Sequence, residues 1–591
     1  MPTATSRSIA NPIVTSPRKT ANDTTIPQFL PRYIHGWSLA PSKSTTTAKT
    51  TAVDYSRKFW VYNFLHGIEK DEVDVLAESS TTRQRRVIRN KLDRIPGGVL
   101  RISGASGTGK TTLLISLMML ALGQSCRILA FSDTQIAAEA LAAHFEKRNE
   151  HGDILAIRFC GQAEEASELY RSLDGAESLK TAEESKWRPK ITPSYSLAAA
   201  VWLVLGEAEP QNDKLFRLWK TYQNSARLIR DLSHLQSLKK RTEVVRRVAK
   251  DIVNRAEIIF TSIGASRDSF LYEYSTSAGH IFLQNASEVD SIHDFIDYTS
   301  KPIVFASCNS IIEEDSRFAK LQDGLEWTLT QQIQADPGLF DVANSLFHSI
   351  TLVYPRDARL SSLAGAFNTC ASSYADLRGT TLTPPPAGKA YPLLLDLRNC
   401  NTYYGRDQSE KRTREFVKFG LQFLLYLLKQ NDSITAKDII VLSHTAGQCN
   451  DWQIALEDER NSELTGIGVS TIKAMRGWDS KFVLWDTAVG AGINHHHDFM
   501  PDRKEIYTAI TSHSKGLVIV ADTSPSKCGK RQVVETGSRA KILYCEECKS
   551  RADSEGSDHQ KTFPKEDPTI RAAFDWMEGH GCTIQIDSNN N

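Results

Sequence analysis

Residues 99–122 read VLRISGASGTGKTTLLISLMMLAL. Gly104-Ala105-Ser106-Gly107-Thr108-Gly109-Lys110-Thr111 satisfies the G-x-x-x-x-G-K-[ST] phosphate-loop pattern in full, between a short β-branched run and an apolar helical stretch. That context is the one the pattern requires. Glycines let backbone amides wrap phosphate oxygens, the helix N-terminus adds positive potential, and Lys110 reaches the outer phosphates of a nucleoside triphosphate. The nucleotide-binding set is therefore Gly104, Gly107, Thr108, Gly109, Lys110, Thr111 and Thr112, with the Thr111 hydroxyl placed to ligate Mg²⁺ beside ATP.

Outward from this loop, short apolar runs alternate with amphipathic stretches, as in chains that build parallel sheets with crossover helices. Strands are expected at 99–103, 127–132, 154–159, 257–262, 280–283 and 303–307, and a second series at 391–397, 438–443, 481–486 and 516–522. A Pro-rich stretch, 381–388, separates the two series. The expected fold is α/β, with two P-loop NTPase lobes. The division is a Ser/Thr/Pro-rich disordered tail at 1–50, a first lobe at 51–318, a connecting segment at 319–388, a second lobe at 389–535 and a C-terminal tail at 536–591. A helical insertion at about 165–255 interrupts the first lobe, where Leu228, Leu232, Leu235, Leu238, Val245, Val248 and Ile252 recur at helical spacing.

Composition sets the outer bounds. The 591 residues carry 71 Lys and Arg against 70 Asp and Glu, a net charge of +1, so no global field marks nucleic acid or membrane as a partner. The balance is local. Residues 214–255 hold twelve Lys/Arg and three acids, which makes this arm +9 and the remainder −8. Such an arm is a solvated helix face or a contact for a phosphate backbone. The longest apolar run, Leu113–Leu122, is too short to span a bilayer, so no membrane is expected. Scattered cysteines fit a reducing intracellular compartment, nucleus or cytoplasm. Cys545-x-x-Cys548 with His559, His580 and Cys582 offers zinc-ligand types at irregular spacing, and ordinary tail cysteines are the preferred reading. His495-His496-His497-Asp498 reads as a solvated loop.

From about residue 80 to 525 the chain resembles the superfamily 1 helicases of the group that includes the nonsense-mediated-decay helicase and senataxin. Gln84 matches that group's adenine-reading glutamine. ILAFSDTQIAAEAL (128–141) resembles its motif Ia and EIIFTSIGAS (257–266) the following strand-loop motif. VSTIKAMRGWDSKFVLWD (469–486) is similar to motif V and EIYTAITSHSKGLVIVAD (505–522) to motif VI, with Thr471 and Gly477 at family positions and Gln448 at a lobe-two glutamine. Arg356 lies near the motif IV arginine. The resemblance implies two RecA-like lobes, ATP with Mg²⁺, RNA processing as a setting, and single-stranded RNA or DNA held by Ser132, Thr134, Gln135, Thr471 and Arg476.

The departures fall on the hydrolytic residues. HIFLQNASE (280–288) places Gln284 and Asn285 where the family has its metal-binding aspartate and catalytic glutamate; Glu288 or Asp290 would serve only in a shifted register. IVFASCNS (303–310) lacks the phosphate-sensing glutamine, Ser310 standing there. Ser512 replaces the arginine finger, and Lys515, three residues on, is a partial substitute at best. An amide is neutral and a poor base. The expectation is a nucleotide-binding, nucleic-acid-associated protein with hydrolysis weak or lost. The alternatives are a working helicase or translocase, and a scaffold that keeps the fold for protein contacts.

Overall fold

The computed structural model describes residues 61–74, 82–160, 195–231, 237–286, 301–308, 325–398, 403–404, 411–488, 502–523, 532–543 and 568–587, short gaps within them aside. Two parallel sheets organise it. The first has seven strands: β1 (Val99–Gly104), β2 (Ile128–Ser132), β3 (Ala156–Phe159), β4 (Ile258–Ser262), β5 (His280–Leu283), β6 (Ile303–Cys308) and β7 (Leu325–Leu329), in the order β3-β4-β2-β5-β6-β1-β7. The second has six: β8 (Leu393–Arg398), β9 (Ile439–Ser443), β10 (Gly468–Thr471), β11 (Ser480–Asp486), β12 (His513–Ala521) and β13 (Thr583–Asp587), in the order β10-β9-β11-β12-β8-β13. Every pairing within both is parallel. These are two α/β lobes of the RecA-like kind.

Side chains alternate between faces along each strand, so each sheet is covered twice. In the first lobe Ile128, Ala130 and Phe282 join the core under the phosphate-loop helix, while Leu129, Phe131 and Leu283 face the other cluster. In the second, Leu393 and Leu395 face one way and Leu394 the other.

The helices that position the site are α1 (Thr82–Lys91), α2 (Lys110–Gly123), α3 (Gln135–Glu146), α4 (Leu197–Leu205), α5 (Asp213–Asp231), α6 (Ser237–Arg255), α7 (Asp341–Phe347), α8 (Ser362–Leu377), α9 (Arg414–Gln430), α10 (Ala446–Glu457), α11 (Arg503–Thr511) and α12 (Pro568–Gly579). Among the described residues the basic arm at 214–255 consists of α5 and α6. Leu218 on the first and Val248 and Ile252 on the second bury into the core above β2 and β3. Of the periodic positions, Val245 packs partly against that core; the side chains of Leu228, Leu232, Leu235 and Leu238 lie outside the described residues.

Three strands depart from the expected layout. β7 lies in the expected connecting segment yet pairs with β1, Leu100 opposite Leu325, burying Trp327 and Leu329 while Glu326 meets Arg101 at the surface. Its interleaved Glu and Thr conceal it from a search for continuous apolar runs. β10 is short and begins with glycine. α12 and β13 come from the expected C-terminal tail: Ile570, Ala573, Phe574 and Met577 bury one helix face, and Ile584 and Ile586 alternate into the core beside β8. Residues 568–587 thus complete the second lobe.

Two buried imidazoles make the fold acid-sensitive. Burial pulls His280 and His513 down to about 4, with the Tyr62 hydroxyl 2.6 Å from His280 Nε2. An unfolded histidine titrates near ~6.5, so from there down toward pH 4 the unfolded chain binds more protons and stability falls with falling pH. Buried Asp486, pushed up to about 6, opposes one of the two between pH 6 and 4. His348, likewise lowered to about 4 but only partly buried, adds to the same side, so the net expectation is roughly 1.4–2.8 kcal/mol lost per pH unit below pH 6, and a melting series at pH 7.5, 6.5, 5.5 and 5 reads it. A melting temperature that climbs below pH 6.5 contradicts this assignment.

Candidate nucleotide site

The phosphate loop joins the end of β1 to α2. Gly107 and Gly109 take the left-handed backbone at φ +74° and +84°, which only glycine adopts freely, and Gly109 caps a helix whose first turn has no acid. A Cβ on Gly107 would also lie 2.2 Å from Gln332 Oε1. Lys110 Nζ donates to the Ala105 carbonyl at 2.6 Å, as does Thr108 Oγ1 at 2.8 Å. Thr111 and Thr112 follow in the first turn, with Thr112 exposed. Gln84 lies in α1, and its side chain is outside the described residues.

Gln284 emerges at the end of β5. Its Nε2 donates to Thr111 Oγ1 at 3.2 Å, and its Oε1 accepts from Ser132 Oγ at 3.4 Å. Asn285 holds φ +56° and donates from Nδ2 to Asp133 Oδ1 at 3.1 Å. The residue bonded to the loop threonine is therefore an amide. Glu288, Asp290 and Ser310 lie outside the described residues.

Across the cleft, Ser512 is buried and its hydroxyl returns to the Thr508 carbonyl at 2.7 Å, ending α11. Lys515 pairs with Asp336 at 3.0 Å, and Asp336 also receives the Ser361 hydroxyl and amide. The Lys515 ammonium thus ties β12 to the segment that follows β7. Arg356 is exposed.

The residues expected at a nucleic-acid surface separate. Ser132 is fully buried and its hydroxyl is used on Gln284, so it is withdrawn from any nucleic-acid surface. Thr134 caps α3 by accepting the Ala137 amide, and Gln135 Nε2 lies 2.9 Å from Cys160 Sγ. Thr471 ends β10 and accepts the Ala474 amide, and Arg476 is half-buried. Gly477 rests on α3, an added Cβ there lying 3.5 Å from Ala137. This contact brings α3 and the turn at 472–478 together, with Ile136 at 40% and Trp478 at 37% exposure beside it.

Gln448 belongs to the core. It is fully buried, bonds the Thr413 backbone at 2.8 and 3.0 Å, and with the Trp452 indole donates to Asp486. Cys582 is buried beside the Met577 carbonyl and burial pushes its thiol up to about 12, while His580 stacks on Trp576 at 3.8 Å. Both contribute to the α12–β13 turn. Cys545, Cys548, His559 and 495–498 lie outside the described residues, among which no group of three His, Cys, Asp or Glu is placed to hold a metal. No helix among them is long and apolar enough to cross a membrane.

Several site residues carried no recognised sequence signal. Gln332, after β7, donates from Nε2 to the Ser106 carbonyl at 3.0 Å, and the Ile333 amide donates to the Gly107 carbonyl at 3.0 Å. Tyr507 of α11 accepts the Ser106 amide at 2.7 Å. The loop is thus gripped from both lobes. Only Gln332-x-Gln334, polar just past a strand, is a signal that a search for site residues could have used.

The donor set suits a phosphate anion: loop amides, Lys110 and a helix N-terminus. It suits Mg²⁺ poorly at the Thr111 hydroxyl, which faces the neutral Gln284 carboxamide at 3.2 Å rather than a carboxylate.

No family model matches the chain, and no curated protein matches it. Among solved structures it is similar to a PRRSV helicase, at 10% identity over 85% of this chain and 69% of that one, TM-score 0.27. It is also similar to the DUF1998 helicase MrfA bound to DNA and AMPPNP, at 10% identity over 79% of this chain and 52% of that one, TM-score 0.34. A third is the Arterivirus nonstructural protein 10 helicase with DNA, at 9% identity over 72% and 61%, TM-score 0.27. The chain spans about half the length of MrfA. With overlaps this low, the fold assignment rests on strand order and register alone.

Proposed function

We propose that this chain is a superfamily 1 helicase-like protein, of the nonsense-mediated-decay helicase and senataxin-like group, that binds ATP and single-stranded nucleic acid with hydrolysis weak or lost. The observation that carries the reading is the Gln284 carboxamide on Thr111 Oγ1. A complete phosphate loop keeps the binding chemistry, while an amide on its threonine removes the charge that anchors a metal. When bound, the nucleotide supplies a polyphosphate whose charge is met by Lys110 and the loop amides. Asn285 offers no general base and Ser512 no finger, and Lys515 stays with Asp336. ATP turnover, with or without single-stranded RNA or DNA, is expected to match the Lys110→Ala background. Strong stimulated turnover that Lys110→Ala abolishes would sink the reading.

The nucleic-acid path is assigned to the contact between α3 and the motif V turn, with the +9 arm as a further phosphate contact. Thr134, Gln135, Thr471 and Arg476 border it. Trp478 supplies an aromatic face for a base, a contact whose loss costs about 1–3 kcal/mol. Trp478→Ala is therefore expected to weaken binding of a labelled oligonucleotide roughly tenfold in fluorescence anisotropy. Unchanged affinity would move the path elsewhere.

A further inference from the structure

Tyr507 sits over the phosphate loop from the second lobe and brings His348 with it. Because the Tyr507 hydroxyl accepts the Ser106 amide, a side chain of α11 occupies a backbone donor that the loop would otherwise offer to an anion. His348 follows α7 directly. Its ring stacks on Phe340 at 5.8 Å and meets Tyr507 edge-on at 5.8 Å between centroids. Nε2 is buried with no hydrogen-bond partner among the described residues.

The charged and titratable groups around this ring come from four elements. Lys110 projects from α2 and acts on the imidazole through its charge. On α11, besides Tyr507, the Arg503 guanidinium lies 5.6 Å over the neighbouring Phe347 ring. On its own helix, Asp341 pairs with Lys389 at 2.8 Å. α12, which packs along α7, carries Arg571 paired with Asp575 at 2.9 Å, and Glu578. Burial, with Lys110 adding to it, lowers His348 to about 4, so the ring is neutral at ordinary pH.

We propose that His348 is a phosphate-sensing residue: a nucleotide polyphosphate entering the loop displaces the Tyr507 hydroxyl from Ser106 and is met by His348 Nε2, which takes one proton from solvent. This rests on the nucleotide reading above. The physical cause is charge. Phosphate oxygens neutralise Lys110 and place negative charge beside a buried imidazole, which favours the imidazolium. The protonated ring then supplies a charge-assisted donor where Ser512 offers none. The sign follows from linkage: the bound form holds one more proton than the free form, so affinity rises as pH falls, by up to tenfold per pH unit.

Calorimetric titration of the full chain with ATP in PIPES and in imidazole, at pH 6.0 and 7.0, counts the protons. The native chain is expected to take up close to one more proton than His348→Gln, whose affinity loses the extra rise on acidification. His348→Asn provides a second non-titrating variant. Equal proton counts in native and variant chains, with binding still abolished by Lys110→Ala, would overturn the role of His348 and leave nucleotide binding standing. No ATP heat in the native chain, or heat indifferent to Lys110→Ala, would overturn both.

Discussion

The Gln284→Glu, Asn285→Asp double variant is expected to hydrolyse ATP about 10²-fold faster than the native chain, the low end of what a positioned general base contributes. Both changes are isosteric. Glutamate at 284 keeps the reach to Thr111 Oγ1, now 3.2 Å from the amide, and turns a neutral group into a metal-seeking carboxylate. Aspartate at 285 tolerates the left-handed backbone at φ +56° that a longer side chain resists. It also places a second carboxylate about 3 Å from Asp133, where the native amide donates at 3.1 Å. Two carboxyls at that distance share a raised apparent pKa, which brings a base toward neutral pH. Ser512 still withholds a finger, so the gain stops well short of a complete site. Phosphate release in steady state reads the effect, and equal rates for native and double variant would show that these two positions are not what limits turnover.

Lys110→Ala is expected to weaken ATP binding by 100-fold or more. The ammonium is the charged side chain of the loop, and its stem leaves α2 directly beneath the phosphate position. It donates to the Ala105 carbonyl, so removing it costs that hydrogen bond as well as the cation that would meet a polyphosphate. Charge-assisted contacts contribute about 1.5–3 kcal/mol each, and this lysine has three donors for a polyanion. About 3 kcal/mol is a factor above 100 in Kd. Melting the variant alongside the native chain separates lost affinity from lost fold, since a surface-facing Lys→Ala on a helix start leaves the core of Leu113, Leu114 and Leu117 intact.

How much was legible in sequence follows from the physics of each part. The phosphate loop was, because Gly107, Gly109 and Lys110 must be those residues at those positions. β1 to β6 were, because strands buried on both faces read as continuous apolar runs. β7 and β13 were not: LEWTL and TIQID alternate, as edge strands with one exposed face do. At the site, Gln284 and Asn285 were legible only as departures, neutral residues where the resemblance implies charged ones. Tyr507 and His348 were not, because long-range contacts across the cleft leave no spacing to read: Tyr507 reaches Ser106 from 401 positions away. Burial also redirected two expectations. Ser132 and Gln448 occupy the expected motif positions yet spend their hydrogen bonds inside the lobes, on Gln284 and on Asp486 with Thr413.

The most direct test of a site that binds but does not turn over is a calorimetric titration of the full chain with ATP and Mg²⁺, followed by chromatography of the nucleotide from the same cell. The account predicts saturable heat that Lys110→Ala removes, and ATP recovered intact. Conversion of the ATP to ADP over the same hour, prevented by Lys110→Ala, would contradict it.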